Sequence, residues 1–348
     1  MALPPFVHRA AADRSFSQSI NFKLPDQVMR FSLFSMSEDK PLLGIMLMLG
    51  FCLIAPLGDA VAKLIGQTVA LGPMLFIRFG AQVLLLAPFI ALSLRPWRLS
   101  RRALGFCALR TLLHMAGIGL MFTALRHMPL ADAIAIVFVL PFLNLLLGHI
   151  LLNETVGAAR LLACLVGFTG TLFVIQPSFT AVGWYAFLPL FVAVLFSGFM
   201  LITRHIAAET DPIGLQFVSG LMATVLLLPV FVLGSAADIA EMTWGLPNSH
   251  EWRLLLSVGA LGTLAHLLIT WSLRHAPSAT VSPIQYVEIP IAALIGLVIF
   301  SELPNTLAAF GMSLTIAAGL FTMLFEEAKR RRSAKAAPQQ LSIPTAAE

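Results

Sequence analysis

The stretch RHAPSATVSPIQYVEIPIAALIGLVIFSE, residues 274–302, decides the fold. It opens with a basic residue and a proline, carries one carboxylate, Glu288, near the middle of an apolar run, and ends on Glu302. About 20 apolar residues are enough to cross the hydrocarbon core of a bilayer. The stretch therefore predicts a membrane-spanning helix with an acidic residue inside it.

The same pattern occurs a second time in the chain. The stretch RHMPLADAIAIVFVLPFLNLLLGHILLNE, residues 126–154, overlies 274–302 at a shift of 148 residues (274 − 126). A shift of 141 residues (204 − 63) aligns the first helices of the two halves. The matched pairs include Arg126/Arg274, His127/His275, Pro129/Pro277, Gly148/Gly296 and Glu154/Glu302 at the first shift, and Lys63/Arg204, Phe76/Phe217 and Pro88/Pro229 at the second. Such self-similarity indicates that one structural unit has been duplicated.

The composition is that of a polytopic membrane protein. Hydrophobic residues make up 58% of the 348 residues, charged residues only 11%, and the mean hydropathy is +0.89. Soluble globular proteins carry about 25% charged residues. The net charge of +5 comes from basic residues at the ends of apolar runs rather than from a basic stripe. This pattern argues against a nucleic-acid partner and makes the lipid bilayer the expected surroundings.

Motifs for catalysis, metal binding and cofactor binding are missing from the sequence. Cys52, Cys107 and Cys164 each lie inside an apolar run, so we expect them to pack rather than to form disulfides or bind metal. The eight histidines include no pair at i, i+4 spacing. No Ser-His-Asp, nucleotide-binding or dinucleotide-binding pattern occurs either. We therefore predict no metal, no cofactor and no enzymatic activity.

The chain contains ten apolar segments. They predict an all-α membrane protein with ten transmembrane helices in two inverted halves of five. We predict a flexible cytoplasmic tail at 1–40, a first repeat at 41–177, a second repeat at 183–327 and a basic cytoplasmic tail at 328–348. The segments lie at 42–62, 72–94, 103–125, 130–152, 157–177, 183–204, 213–234, 253–274, 279–301 and 305–326.

The distribution of basic residues predicts the orientation of these helices. With a cytoplasmic N-terminus, 17 of the 22 Lys and Arg residues fall on the inner side, and both termini are cytoplasmic. Because each half has an odd number of helices, the second half begins on the opposite side, so the repeats are inverted. Inverted repeats are the usual construction of secondary transporters, since two such halves can open alternately to either side.

These features resemble the drug/metabolite transporter superfamily, EamA type, over residues 41–327. The fourth and ninth helices end in LLNE (151–154) and FSE (300–302), at the place where that family ends them. GDAVAK (58–63) and QYVE (285–288) are similar to a proteobacterial branch that contains S-adenosylmethionine uptake carriers and some riboflavin importers. The resemblance implies a metabolite carrier of the bacterial inner membrane. It also implies a cavity lined by the first four helices of each half.

Glu288 is the leading candidate for the substrate or coupling site, with Gln285 and Tyr286 close to it. A charged group at the bilayer centre costs at least about 2.5–3.5 kcal/mol and normally faces a cavity or a partner. As a functional residue, Glu288 would bind a cationic group or carry a proton. As a structural residue, it would pair with an arginine.

Four further candidates are ionisable residues in the first three helices. Arg110 could contact substrate or anchor the inner membrane interface, and His114 lies one turn further on the same face, where it could simply pack. Asp59 and Arg78 could form a charge pair that acts as an outer gate, with Lys63 as a competing partner for Asp59. Glu154 and Glu302, at membrane boundaries, are expected to fix helix ends.

The signs of these charges suggest a substrate with mixed charge. Arg110 and Glu288 would bind groups of opposite sign, and Tyr286, Trp271 and nearby phenylalanines would stack on a planar group. S-adenosylmethionine or an amino-acid-like compound fits this description, while riboflavin or another metabolite or drug remains an alternative. A membrane scaffold or sensor that transports nothing is a second alternative.

Glycines on the fifth and tenth helices allow two helices to approach closely. This contact could lie within one chain or between two protomers, so the glycines leave a homodimer through these peripheral helices open. The residues are Gly167, Gly170, Gly311 and Gly319.

Overall fold

The computed structural model describes residues 40–93, 97–140, 142–143, 147, 158–207, 209–243, 245–276 and 281–336. These residues form helices and connections, and no strand occurs among them. The all-α class is therefore confirmed. The helices are α1 Pro41–Ile65, α2 Leu71–Ser93, α3 Arg101–Leu125, α4 Leu130–Val137, α5 Ala158–Val182, α6 Leu188–Ala207, α7 Pro212–Ala236, α8 Ser249–His275, α9 Glu288–Phe300 and α10 Thr306–Ala336.

Capping residues set the beginnings of three of these helices. The Ser100 side chain accepts a hydrogen bond from the backbone N–H of Ala103 and so begins α3. Asp211 does the same for the first turn of α7, and Asn248 forms a reciprocal capping box with Glu251 at the start of α8. Each side chain satisfies backbone donors that a helix N-terminus leaves without an internal partner.

Six stretches of the described chain are long and apolar enough to cross a membrane. One of them, Leu161–Ala207, contains 47 residues and includes both α5 and α6. Two shorter apolar helices, Ile284–Phe300 and Thr306–Phe321, complete the set. Because many large apolar side chains on these helices are exposed, the surface suits a hydrocarbon environment rather than water.

The packing of the helices has an internal symmetry. The closest contacts are α1 with α8, α3 with α6, α2 with α7, and α5 with α10. Exchanging each helix of the first half with its counterpart five helices later converts the α1–α8 contact into the α6–α3 contact and leaves the other two unchanged. This is the arrangement expected of two repeats related by a pseudo-two-fold axis.

The fourth and ninth predicted helices are broken rather than continuous. In the second half, residues Ser282–Val287 form a 3-10 helix and α9 begins at Glu288. Pro290 has no N–H to donate to the carbonyl four residues earlier, so the α-helical ladder is interrupted at this level. In the first half, α4 ends at Val137, and Phe138 and Val139 make i to i−3 hydrogen bonds instead. Discontinuous helices at the centre of a membrane are typical of transporter binding sites.

The two ends of the chain differ in how much of them is described. The predicted tail at 1–40 lies outside the described residues except for Lys40. At the other end, α10 continues to Ala336, ten residues past the predicted end of the last segment at 326 (336 − 326). The charged residues at its end continue the helix instead of stopping it, because Glu, Lys, Arg and Ala all favour helix.

The glycines of the peripheral helices serve a contact within the chain. A Cβ on Gly170 would collide with Thr315 and with the backbone of Gly311, and a Cβ on Gly311 would collide with Gly170. The Thr315 hydroxyl also donates to the Gly167 carbonyl at 3.3 Å. These glycines therefore bring α5 and α10 together, and the homodimer stays a prediction that they do not support.

Candidate functional site

A cavity lies between the two halves of the molecule, on the pseudo-two-fold axis. Its lining residues are related in pairs by the shifts that relate the two repeats. Five such pairs face the same space: Phe51/Val192 and Ala55/Phe196 at a shift of 141, and Ile118/His266, Val137/Gln285 and Leu140/Glu288 at a shift of 148. The broken fourth and ninth helices thus contribute corresponding positions from opposite sides of the axis.

The two sides of this cavity differ in polarity. Gln285 and Glu288 lie where the second half is broken, and their counterparts in the first half are the apolar Val137 and Leu140. Asp59, from α1, supplies a second carboxylate to the lining. The cavity therefore presents acidic and amide groups next to a largely hydrocarbon wall.

Two histidines close one part of the cavity and link the halves directly. His114 of α3 and His266 of α8 approach with their Nε2 atoms 2.9 Å apart, so one ring donates a hydrogen bond to the other. Phe79 contacts the His114 ring edge-on, and Phe199 packs against both imidazoles. His114 is thus packed and hydrogen-bonded, which is the alternative that the sequence left open for it, and both rings also line the cavity.

Arg78 and Asp59 meet at a second, smaller space beside the first. This space is lined by Asp59, Arg78, Gly262 and His266, and it shares Asp59 and His266 with the central cavity. The two charged side chains interact electrostatically, but neither a hydrogen bond nor an ion pair within 4.0 Å joins them among the described contacts. The predicted direct pair does not form among the described contacts, and the two side chains instead line the same small space.

Several buried polar atoms around these two spaces have no hydrogen-bond partner in the described part of the chain. They are Arg78 Nη1, Gln285 Oε1, His114 Nδ1 and His266 Nδ1. Burying such a group without a partner costs about 1–3 kcal/mol. Four of the eight such atoms in the described chain lie around these two spaces, where a bound molecule could complete their hydrogen bonds. The other four include Gln82 Oε1, Arg126 Nε and Asp132 Oδ1.

Arg110 has a different environment from the one that we expected. Its side chain is fully buried and donates to hydroxyls of three other helices: Thr203 at 2.8 Å, Ser219 at 3.1 Å and Thr270 at 3.5 Å. Its guanidinium also stacks 4.4 Å from the centre of the Phe199 ring. Arg110 lines neither of the two spaces, because α6, α7 and α8 enclose it one turn away from His114. It is neither a headgroup anchor nor, in this state, a cavity residue.

The two aromatic residues that were expected to stack on substrate point elsewhere. The Tyr286 ring packs against Phe138 and against α10, where a Cβ on Gly319 would overlap it. Trp271 belongs to an apolar cluster with Leu86 and Ile213. It follows His266 by five residues, which places it about 140° around the helix from the cavity. The rings that do line the central cavity are Phe51, Phe138 and Phe196.

A cluster of ion pairs joins the helix ends on the predicted outer side, and we call it the closing cluster. Lys63 Nζ lies 2.6 Å from Glu302 Oε1 and donates to the Met128 carbonyl at 2.9 Å. Glu302 also accepts from the Leu130 N–H at 3.3 Å, which confirms its predicted role at a helix end. Lys63 is therefore a partner of Glu302 and not of Asp59. Glu154 lies outside the described residues.

A second ion pair in the closing cluster is more exposed. Arg126 Nη1 lies 2.7 Å from Glu241 Oε2, and Arg126 Nη2 donates to the Val69 carbonyl at 2.8 Å. Burial alone would raise the pKa of Glu241, but hydrogen bonds from Arg126 and from the Leu71 N–H outweigh it and lower that pKa. The cluster thus ties the α1–α2, α3–α4 and α7–α8 connections to one another.

The central cavity is smaller than a metabolite. Its volume is about 100 Å³, whereas sites for small organic ligands usually measure about 300–1,000 Å³. The space is therefore too small for a ligand of that size, which would require the two halves to move apart. In the described residues, no group of three His, Cys, Asp or Glu side chains could hold a metal ion.

The structure brings four of the predicted candidates, Glu288, Gln285, Asp59 and His114, into the lining of the central cavity and puts Arg78 beside it. The candidates included neither His266 nor any particular phenylalanine of the lining. The repeat contained a usable signal, because His266 and its counterpart Ile118 both face the cavity. Aligning the halves around Glu288 and taking both members of each pair would have found much of the lining.

Comparisons with known proteins agree with this architecture. The model of the EamA-like transporter family matches residues 42–176 and 183–324. A riboflavin transporter of Brucella anthropi is 28% identical over 254 residues, 72% of this chain and 88% of that protein. A Rickettsia felis S-adenosylmethionine uptake transporter is 24% identical over 269 residues, 77% of this chain and 88% of its own.

This chain is also similar to an exporter and to a protein of known structure. The pseudopaline exporter of Pseudomonas aeruginosa is 25% identical over 265 residues, covering 75% of this chain and 88% of that protein. One solved protein crystal structure superposes with a TM-score of 0.55 at 17% identity, over 83% of this chain and 98% of that one, which is a likeness of fold. The relatives are transporters rather than enzymes, and the resemblance inferred from the helix-end motifs is confirmed. With both halves matched, this multi-pass membrane protein belongs to the EamA-like transporter family.

Proposed function

We propose that the protein is a secondary carrier that moves a small organic metabolite across the membrane by alternating access. The observation that carries this proposal is the cavity on the pseudo-two-fold axis, whose buried polar groups lack protein partners. Two repeats arranged around such a cavity can rock about it and expose it to one side at a time. The substrate would complete the hydrogen bonds that the closed protein leaves open.

Glu288 is the group in this proposal that binds a cationic part of the substrate or carries a coupled proton. It is 9% exposed, begins α9 at the helix break, and makes no ion pair with a described residue. Asp59 lines the same cavity and repels it electrostatically, so the two carboxylates favour a shared cation or a shared proton. Binding of either the cation or the proton would couple transport of the substrate to movement of charge.

The proposed substrate carries both signs of charge and a planar group. Arg78, with its unpartnered Nη1, takes the positive role that sequence reasoning gave to Arg110. Phe51, Phe138 and Phe196 offer the flat apolar surface. A simple ion or a neutral sugar would leave one of the charges unmatched in a low dielectric. S-adenosylmethionine or an amino-acid-like compound fits, and riboflavin, the substrate named for one relative, is the alternative.

Binding and uptake by the purified protein test the proposal. Thermal stability in detergent would be measured with S-adenosylmethionine, amino acids, riboflavin and anionic controls, and active compounds would then be followed as labelled tracers into proteoliposomes. We expect a mixed-charge planar compound to raise the melting temperature and to be taken up. A shift produced only by anionic or neutral compounds would contradict the substrate class. Binding without uptake would favour a scaffold or sensor over a carrier.

The orientation in the membrane is part of the same proposal. We place both termini in the cytoplasm of a bacterium, at the inner membrane, because most basic residues then fall on the inner side. Reporters fused within 1–40 and after residue 327 should read cytoplasmic, and a reporter inserted within 238–250 should read external. A cytoplasmic signal from the 238–250 insertion would rule out the arrangement of ten helices.

A further inference from the structure

The hydrogen bond between His114 and His266 is the one direct polar contact between titratable side chains of α3 and α8 in the described chain. The rings are 1% and 5% exposed, and their centroids lie 4.0 Å apart. Because α3 belongs to the first half and α8 to the second, this bond crosses the surface along which the halves must part. A change in its protonation therefore acts at a contact between the two halves.

Charged groups face the pair from most of the elements packed around it. Asp59 comes from α1, Arg78 from α2 and Glu288 from the start of α9, while Arg110 lies one turn away on α3 itself. Helix α6 contributes the aromatic rings of Phe196 and Phe199. Helix α7 contributes the neutral Gln216, which donates to the His266 carbonyl at 2.8 Å. The pair thus shares the cavity lining with two carboxylates and interacts electrostatically with two guanidinium groups.

The geometry fixes how many protons the pair can hold. In the neutral pair, one ring donates through its Nε2–H and the Nε2 lone pair of the other ring accepts. The donor ring then keeps a free lone pair on Nδ1, and the acceptor ring keeps its proton on Nδ1. Both Nδ1 atoms are buried and have no hydrogen-bond partner among the described residues.

A first added proton can bind only to the free Nδ1 lone pair of the donor ring. That ring becomes an imidazolium, its Nε2–H bond to the neutral ring becomes charge-assisted, and the contact strengthens. A second proton must bind to the Nε2 atom that accepts this bond. The bond then breaks, and two like charges face each other across a contact of 2.9 Å.

We propose that His114 and His266 together form a proton-binding site of the carrier, separate from Glu288, that holds the halves together with one proton and releases them with two. The proposal rests on the carrier function proposed above. Imidazole is the side chain whose ordinary protonation range covers physiological pH. The pair would therefore connect the proton concentration on the accessible side with separation of α3 from α8.

Nuclear magnetic resonance of the wild-type protein tests the site without any substrate. With nitrogen-15 in the histidine side chains, a hydrogen bond between two ring nitrogens gives a coupling between them. We expect this coupling near neutral pH, assigned by its loss in H114Q and in H266Q. It should disappear on acidification toward about pH 5 while the protein remains folded. A coupling that persists until the protein unfolds, or that is absent at every pH, would overturn the proposal.

Measuring the rate of substrate exchange across the membrane tests whether protonation of the pair affects transport. The double variant H114Q/H266Q replaces both rings with amides that can hydrogen-bond but cannot titrate in this range. We expect its exchange rate to be lowered and nearly independent of pH between about pH 5 and about pH 8, where the wild-type rate should change several-fold. H205Q is the matched control, because His205 faces Phe106 and Arg102 away from the cavity, and it should keep the wild-type pH dependence.

The two readouts separate this proposal from the carrier function. If no metabolite is transported by the wild type but the coupling appears and disappears as expected, the proton site stands and the carrier proposal fails. If transport occurs and H114Q/H266Q retains the wild-type pH profile, the carrier function stands and the proton site is wrong.

Discussion

The central cavity and the closing cluster both contain buried charges, but the two regions differ in whether those charges form ion pairs. In the closing cluster, Lys63 and Glu302 form an ion pair of 2.6 Å, and each has a further backbone partner. Glu288 in the cavity makes no described ion pair, and Arg78 beside it leaves Nη1 without a partner. The Lys63–Glu302 pair is thus completed within the protein, whereas Glu288 and Arg78 are not.

This difference separates structural charges from functional ones. An unpartnered charge in a membrane protein costs at least about 2.5–3.5 kcal/mol at the bilayer centre, and evolution tolerates such a cost where the group has another use. Satisfied charges hold a particular closed arrangement together. The two arginines within helices make the same contrast on a smaller scale, because Arg110 donates to three hydroxyls while Arg78 faces a space.

The largest expected effect distinguishes those two arginines. Arg78→Gln should lower transport by about 10- to 100-fold, the equivalent of one lost charged hydrogen bond of about 1.5–3 kcal/mol. Its thermal stability should fall less than that of Arg110→Gln, since Arg78 interacts with Asp59 electrostatically without a direct ion pair. Arg110→Gln should lower thermal stability, because three helices lose their common donor. Equal destabilisation by both substitutions, measured by thermal unfolding in detergent, would remove the contrast.

The next effect concerns the tighter ion pair of the closing cluster. Lys63→Met leaves Glu302 without its cation and should destabilise the closed state by about 2–3 kcal/mol, less than for a fully buried pair because Glu302 is 29% exposed. Thermal unfolding of this variant, of Glu302→Gln and of the double variant forms a cycle. The double variant should lose less than the sum of the single losses. Additive losses would mean that the two residues do not stabilise each other.

The smallest effect concerns Glu241, whose side chain is 55% exposed. Glu241→Gln should cost only about 0.5 kcal/mol at neutral pH, since exposed ion pairs contribute little. The pKa of Glu241 is lowered in the folded protein. The stability that it contributes is therefore present above its unfolded pKa of about 4.3 and is lost as the pH falls through the lower folded value. Wild type and variant should differ at neutral pH and converge in acid.

Most of the architecture could be predicted from the sequence because hydrophobic length and the duplication are properties of long segments. The residues that line the cavity were harder to predict, since each depends on rotation about a helix axis. Trp271 and Tyr286 lie near His266 and Glu288 in sequence but face other helices. A carboxylate at mid-membrane was informative on its own, because few environments tolerate it.

Two features could not be read from the sequence for a physical reason. The hydrogen bond between His114 and His266 joins residues that are 152 positions apart, at positions that are not counterparts in the repeat. The second feature is that Arg78, and not Arg110, lies beside the cavity. Arg110 is held away from it by hydroxyl groups from α6, α7 and α8 that converge only in the folded protein. Neither the spacing of residues nor the hydrophobic periodicity of the sequence predicts such contacts.

The most direct test of the account compares accumulation with exchange in proteoliposomes for Glu288→Gln. If Glu288 carries a coupled charge, gradient-driven accumulation of the substrate identified in the binding panel should fall to the equilibrium level. Exchange across the membrane should fall less, because it needs no net release of a proton. Glu241→Gln, which removes an exposed carboxylate, is the control and should accumulate substrate as the wild type does. Accumulation by Glu288→Gln at the wild-type level would contradict the claim that this unpaired carboxylate couples transport.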